Sequence, residues 1–267
     1  MGGRAIDTAR KETMKMAEKE AHISVRDLTM AYGDFVVMRD LTFDINRGDI
    51  FIVMGGSGCG KSTLMRILIG LKPPAKGKVL SGEVDFWGTD PQTRNRIMRG
   101  AGVMYQSGAL WSSMTLAENI SLPLETYTDL TEAQIREVVE WKLALVGLAG
   151  FQEFYPAEIS GGMQKRAGIA RAMALDPEIL FFDEPSAGLD PVSAHRLDDL
   201  ILELNDSLRT TMVVVTHELA SIFAIGSNCV FLDSSKHTIT ATGNPKQLLA
   251  ETHDPTLRLF LTRGEKS

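Results

Sequence analysis

The stretch "DIFIVMGGSGCGKSTLMRILIGL", residues 49–71, passes from a short apolar run through a glycine-rich loop into a helix-like pattern. An apolar run without alternation predicts a strand buried on both faces of a parallel sheet. The loop "GGSGCGKST" (55–63) fits G-x-x-x-x-G-K-[ST] at Gly55, Gly60, Lys61 and Ser62, in the strand-before, helix-after context the motif requires. Its glycines let backbone N–H groups wrap a phosphate at the helix N-terminus, Lys61 reaches the β- and γ-phosphates, and Ser62 can ligate Mg²⁺. A glycine-rich turn alone would need neither the lysine nor this context. Gly55, Gly56, Ser57, Gly58, Cys59, Gly60, Lys61, Ser62 and Thr63 are therefore the candidate nucleotide contacts.

Outward from this loop the chain alternates strands and helices. Upstream, "HISVRDLTMAYGDFVVMRDLTFDINRGD" (22–49) alternates apolar and polar residues between turn signals, as half-exposed antiparallel strands do. Downstream, "GKVLSGEVDFWGTD" returns to strand and turn, and "GVMYQ" predicts a short strand ending near Gln106. From about 107 to 176 the pattern turns helical: "TEAQIREVVEWKLALVG" spaces Ile135, Val138, Val139, Leu143 and Val146 for one helix face, between a Thr131 cap and Gly147. "EILFFDEP", "TMVVVTHE" and "NCVFLD" predict three further buried strands. The expectation is an α/β fold: a P-loop, RecA-like parallel-sheet core with an N-terminal antiparallel β subdomain and an inserted α-helical subdomain. Residues 22–245 form one nucleotide-binding domain, with the helical subdomain at about 107–176, a charged extension at 1–21 and a tail at 246–267.

Composition narrows the function. The chain has 267 residues, 44% hydrophobic and 23% charged, as an ordinary globular protein does. A net charge of −6 and a pI near 5.5 argue against nucleic acid as main partner, because no basic excess is available to release phosphate counterions. No apolar run approaches the roughly 20 residues of a membrane span. The two cysteines, Cys59 and Cys229, are far apart in sequence, and a disulfide at Cys59 would obstruct the loop, which fits a reducing compartment. The N-terminus lacks an apolar signal core, and Ile6 stands where a myristoylation start would want Ser or Thr.

Two further stretches carry chemistry. "ILFFDEP" (179–185) buries a strand whose end presents Asp183 and Glu184. Alone this is an ordinary solvated strand end; beside a phosphate loop, Asp183 reads as a Mg²⁺ holder and Glu184 as the group that polarises the attacking water. "AEISGGMQKRAGIAR" (157–171) opens a helix at Ser160, Gly161 and Gly162, whose free N–H groups make a second anion site. One triphosphate is already held by Lys61, and no second lysine-bearing loop exists. The economical solution is that this helix end caps the γ-phosphate of a nucleotide held by a second copy of the chain.

"GGSGCGKST", "SGG" before a helix, "LFFDEP", "SAGLD" and "VVVTHE" occur in the order and spacing of ATP-binding cassette (ABC) ATPases, which residues 22–245 resemble. The resemblance implies ATP as ligand and Mg²⁺ as its metal. It also implies that Ser160, Gly161 and Gly162 are the signature motif completing the opposite subunit's site in a head-to-tail dimer. Gln106 matches the Q-loop residue that touches Mg²⁺ and water, and His217 the switch histidine that contacts the γ-phosphate and Glu184. Asp190, in "SAGLD", matches the D-loop at the dimer interface, and Tyr32 the aromatic that stacks on adenine. Without the resemblance these are a surface glutamine, a structural histidine and an edge aromatic. Met163 departs from the usual glutamine of the signature, so a side-chain amide contact there is lost.

"YQSGALWSSMTLAENISLPL" (105–124), "PAEISGGMQKRAGIARAMALDPEILFFDEPSAGLDPVSA" (156–194) and "DPTLRLFL" (254–261) resemble the branch serving MCE-protein systems, including the Mla phospholipid-transport ATPases. That implies a peripheral protein on the cytoplasmic face of the inner membrane, bound to integral permease subunits with an MCE-type substrate-binding protein and other accessory subunits, and driving phospholipid transport. An importer of small polar solutes is the nearest rival, differing only in its partner. A soluble, non-transport ABC ATPase would want a coiled-coil insertion or fused cassettes, and a GTPase a guanine-reading motif. The apolar group Leu110, Trp111, Met114 and Leu116 divides between subdomain core and a seat for a permease coupling helix. Leu257, Leu259, Phe260 and Leu261 are expected to pack back on the cassette, a dimer or regulatory contact being the alternative.

Overall fold

The computed structural model describes residues 20–106 and 108–262. Almost all of the predicted N-terminal extension, and the last five residues of the tail, lie outside these. Two sheets form. The first is antiparallel, in the order β2 (Phe35–Asn46), β1 (Ala21–Tyr32), β4 (Lys76–Ser81), β5 (Val84–Asp85). The second runs β10 (Thr238–Gly243), β9 (Asn228–Asp233), β3 (Ile50–Gly55), β8 (Thr211–Val215), β7 (Ile179–Asp183), β6 (Ala101–Met104), with every pair parallel except β10 on β9.

Strand β3 is buried along its whole length, as its unbroken apolar run predicts. Because side chains alternate across a strand, it feeds two cores. Ile50, Ile52 and Met54 join Leu180, Phe182, Met212, Val214 and Phe231 on one face. Phe51 and Val53 join Phe181, Val213, Val215, Val230 and Leu232 on the other, beneath the antiparallel sheet, where the Phe51 ring stacks on Phe43 at 5.5 Å. Full burial of a residue such as Phe51 contributes about 1.5–3 kcal/mol, so the sheet is the fixed frame from which the loops project.

The helices are α1 (Lys61–Leu68), α2 (Pro91–Arg99), α3 (Leu116–Tyr127), α4 (Glu132–Leu145), α5 (Gly161–Ala172), α6 (Pro191–Leu208), α7 (Leu219–Ile225), α8 (Pro245–Glu251) and α9 (Pro255–Leu261). The predicted α4 begins at Thr131, whose hydroxyl accepts from Gln134 N in a reciprocal capping box, and Gly147 follows it at φ 66°. Helices α3, α4 and α5 pack on one another and make the helical insertion. Three elements have no counterpart in the sequence reading: α2, β10 and α8. Helix α2 fully buries none of its residues and meets the core only through the partly buried Ile97 and Met98, and its sequence mark is an Asp90 cap followed by Pro91. Strand β10 is a half-buried edge. The strand predicted over "GVMYQ" stops at Met104, and Tyr105 and Gln106 begin the loop beyond it.

Of the apolar group after Gln106, Leu116 is fully buried, Leu110 packs partly against the core, and Trp111 is exposed. The tail packs back through Leu257 and Leu261, with Phe260 5.2 Å from the Phe231 ring and Leu259 facing solvent. Among the described residues no helix is long and apolar enough to cross a membrane.

Candidate nucleotide site

The predicted site residues leave the carboxyl ends of neighbouring parallel strands. β3 runs into the 55–63 loop, β7 ends at Asp183–Glu184, β8 leads through Thr216 to His217, and β6 leads to Gln106. The chain leaves β3 for the far edge at β6, then returns through β7 to β8 beside β3. The loop therefore sits at a change of winding, where open α/β sheets bind ligands.

Glycine is required at two points of the loop. A Cβ at Gly55 (φ 153°) would lie 2.6 Å from Leu232 O and 2.7 Å from Cys59 Sγ; one at Gly60 (φ 100°) would lie 2.8 Å from Val37 Cγ1. Gly60 is also the cap of α1 and supplies no side-chain acceptor, so the first N–H groups of that helix keep their donors for an anion. Lys61 is buried, and its Nζ donates to Gly55 O at 3.0 Å and Gly56 O at 3.1 Å. The ammonium is thus pinned over the loop. Ser62 is exposed, and Thr63 Oγ1 lies 3.4 Å from the hydroxyl of Tyr32, whose half-exposed ring has Lys72 Nζ 4.4 Å from its centre. Cys59 is buried, which pushes its thiol above the ordinary range and leaves it unreactive.

At the end of β7, Glu184 adopts φ 48°, a left-handed conformation unusual for a residue with a side chain, fixed by its N–H donating to Val215 O at 2.8 Å. Its Oε1 lies 2.8 Å from His217 Nδ1. An ionised carboxylate only accepts, so Nδ1 carries the shared proton. Asp183 Oδ1 and Glu184 Oε2 are buried and have no hydrogen-bond partner among the described residues. Burial and the neighbouring Glu184 charge raise the Asp183 pKa, while Arg66, Lys61 and Lys165 oppose the rise. Two orphaned carboxylate oxygens on adjacent residues suit a hard cation. Mg²⁺ takes few protein ligands and completes its shell with phosphate and water.

Ser160, Gly161 and Gly162 sit elsewhere. Ser160 caps α5 by accepting from Met163 N at 3.3 Å, and a Cβ on Gly161 or Gly162 would come into ordinary contact with Leu189, at 3.8 Å, or Ser193, at 3.7 Å, of the same chain. Helix α5 packs on β6, α3, α4 and α6, and among the described residues no hydrogen bond joins this helix start to the 55–63 loop. Asp190 caps α6, accepting from Val192 N and Ser193 N at 3.0 Å, and the Ser193 hydroxyl together with these N–H groups holds its carboxyl below the usual range. Gln106 is exposed, and its carbonyl accepts from Lys165.

The family model for "ABC transporter" matches residues 38–187. The chain belongs to the ABC transporter family. It is the ATP-binding, ATP-hydrolysing subunit of such a transporter. A probable ribonucleotide transport ATP-binding protein, Mkl of Mycobacterium leprae, is 39% identical over 90% of this chain and 68% of its own length. The intermembrane phospholipid transport ATP-binding protein MlaF is 36% identical in Haemophilus influenzae, over 85% of both chains, and 35% identical in Escherichia coli K12, over 90% of this chain and 88% of that one. Among solved structures, cbiO1 of Clostridium perfringens, part of the cbiONQ complex, superposes with a TM-score of 0.80 at 26% identity, covering 87% of this chain and 92% of that one. The dimeric, ADP- and phosphate-bound cassette MJ0796 superposes with a TM-score of 0.74 at 27% identity, covering 83% and 98%.

Lys165 went unnoticed in the sequence because its helix position gives no sign that its end is buried. Arg66, whose charge acts on Asp183, was hidden in the same way inside the "LMRIL" pattern.

Proposed function

We propose that this chain energises a phospholipid transporter, binding and hydrolysing ATP at two sites shared between two copies. What supports the shared-site reading is that Ser160 and Gly162 line a hollow with Arg166, Ser193 and Arg196, and that among the described residues no hydrogen bond joins this helix start to the 55–63 loop, Asp183, Glu184 or His217. Lys61 and the uncapped N–H groups of α1 bind the phosphates, and Tyr32 stacks on adenine. Ser62 and Asp183, with Gln106, would hold Mg²⁺, which when bound neutralises charge across the β- and γ-phosphates. Glu184, oriented by His217, accepts a proton from the attacking water. Ser160, Gly161 and Gly162 of the partner copy close on the γ-phosphate, and Asp190 lies at that interface. The dimeric state of MJ0796 supports the pairing.

Phospholipid is favoured because the MlaF relatives match along 85–88% of their own length, as a protein of the same layout would. In this reading 22–245 is the working domain, the chain docks on the cytoplasmic face of the inner membrane through permease subunits, and an MCE-type protein delivers the lipid. The Mkl relatives favour a second substrate, a ribonucleotide. The test is to purify the chain with its permease in lipid and measure ATPase activity. Stimulation by phospholipid supports lipid transport; stimulation by ribonucleotides alone, in constant lipid, moves the assignment to the second substrate.

A further inference from the structure

Helix α5 does more than present Ser160–Gly162. One of its faces, marked by Lys165, Gly168 and Arg171 at three-residue steps, lies along the backbone that follows β6. Lys165 Nζ donates to the carbonyl of Gln106, and the Arg171 guanidinium to the carbonyl of Ala109. Between them the two backbones touch: a Cβ on Gly168 would lie 3.0 Å from Gly108 Cα and 3.1 Å from its oxygen. Gly108 at φ 73° and Ala109 at φ 50° both leave the strand conformation, so these carbonyls fall outside the sheet ladder and take side-chain donors instead.

The two cations differ in what else they feel. Lys165 is 7% exposed, and an ammonium so buried is costly unless it is compensated. Burial lowers its pKa, and the charges of Glu184 and then Asp183 act against that; Asp183 in turn feels Lys165. Arg171 is also lowered by burial, with no carboxylate opposing it. Arg171 is an anchor for the loop. Lys165 is an anchor too, and it alone of the two feels the charges of Glu184 and Asp183.

We propose that Lys165 is a positioning residue for hydrolysis, which fastens the backbone carbonyl of Gln106 to the signature helix beside the close Gly168–Gly108 approach. Through it, the helix start offered to the partner's nucleotide and the glutamine at the chain's own site are placed together. The proposal rests on the assignment of Glu184 and Asp183 to hydrolysis.

Steady-state ATPase assays on the full chain, with nucleotide affinity measured separately, test it. Lys165→Met keeps the stem and removes donor and charge; it should lower kcat roughly 10-fold or more with KM for ATP within about twofold, and Lys165→Arg should recover most of that loss. Arg171→Met, which loses only a loop anchor, should lower kcat by less than about threefold. Should Lys165→Met fold poorly, Lys165→Gln replaces it, with the same expectation. A wild-type kcat in the neutral variant overturns the proposal, as does an equal loss in Arg171→Met, or a lack of recovery with arginine. Glu184→Gln is assayed beside them. If it is inactive while Lys165→Met is normal, only this proposal falls; if it remains active, the hydrolytic assignment beneath it falls.

Discussion

Glu184 combines a left-handed backbone, a hydrogen bond to His217 and a buried oxygen without a partner. Non-glycine residues hold such a backbone at a cost of about 1–3 kcal/mol, and here the Val215 carbonyl and the strand end fix it. Glu184→Gln keeps the shape and removes the proton acceptor. ATP binding, measured by fluorescent-nucleotide titration, should stay within about twofold, while kcat falls by roughly 10²–10⁴, the usual contribution of a general base. Lys61→Ala removes both the phosphate contact and the two bonds that pin the loop carbonyls. It should abolish detectable nucleotide binding in the same titration, and near-normal binding would remove Lys61 from the site. Residues such as Lys61 and Glu184 were legible in the sequence because their chemistry depends on fixed local spacing. Lys165 was not, because its role depends on a helix meeting a loop about sixty residues away in the chain.

At the scale of elements, α6 and α7 meet through a buried acid. Asp198 accepts from the Ser221 hydroxyl at 2.9 Å through Oδ2, while its Oδ1 is buried without a partner. Burial pushes its carboxyl above the usual range and Asp199 adds to this; the Ser221 hydrogen bond and His195 only partly offset the rise. A carboxyl raised in the folded state binds protons more tightly there than in the unfolded chain, so stability falls as pH rises from the unfolded value through the folded one. Asp198→Asn removes this penalty and keeps an acceptor for Ser221. Thermal melts at pH 8 should show Tm higher by about 2–4 °C, the shift that ~1 kcal/mol makes at this size. The gain should vanish near pH 4, close to the unfolded aspartate value; an equal difference at both pH values would contradict the charge argument. The sequence disclosed elements wherever burial left a pattern, an unbroken apolar run in β3 and a helical period in α4. It was silent on α2 and on β10, because each touches the core only through a few partly buried residues, Ile97 and Met98 in one and Ile239 and Ala241 in the other, too few to impose a period.

Across the whole molecule, one frame carries two surfaces that one chain does not bring together. The rigid sheet presents the loop, Asp183, Glu184 and His217 from its strand ends, and the helical insertion presents Ser160–Gly162 beside Leu189 and Ser193. The family pattern made both legible, but their joining lies beyond any single chain's periodicity. The test is therefore one of assembly. In the Glu184→Gln background, which binds ATP without consuming it, size-exclusion chromatography with ATP should show a dimer, and without ATP a monomer. Adding Ser160→Arg puts a bulky side chain where the helix start meets the partner's γ-phosphate. It also removes the Ser160 cap, a loss of about 1 kcal/mol that a thermal melt will register without unfolding the chain. The double variant should bind ATP with the affinity of its parent and elute as a monomer. A double variant that still dimerises with ATP would place the signature helix away from the shared site. Loss of ATP binding itself would instead mean that the helix start serves the nucleotide of its own chain.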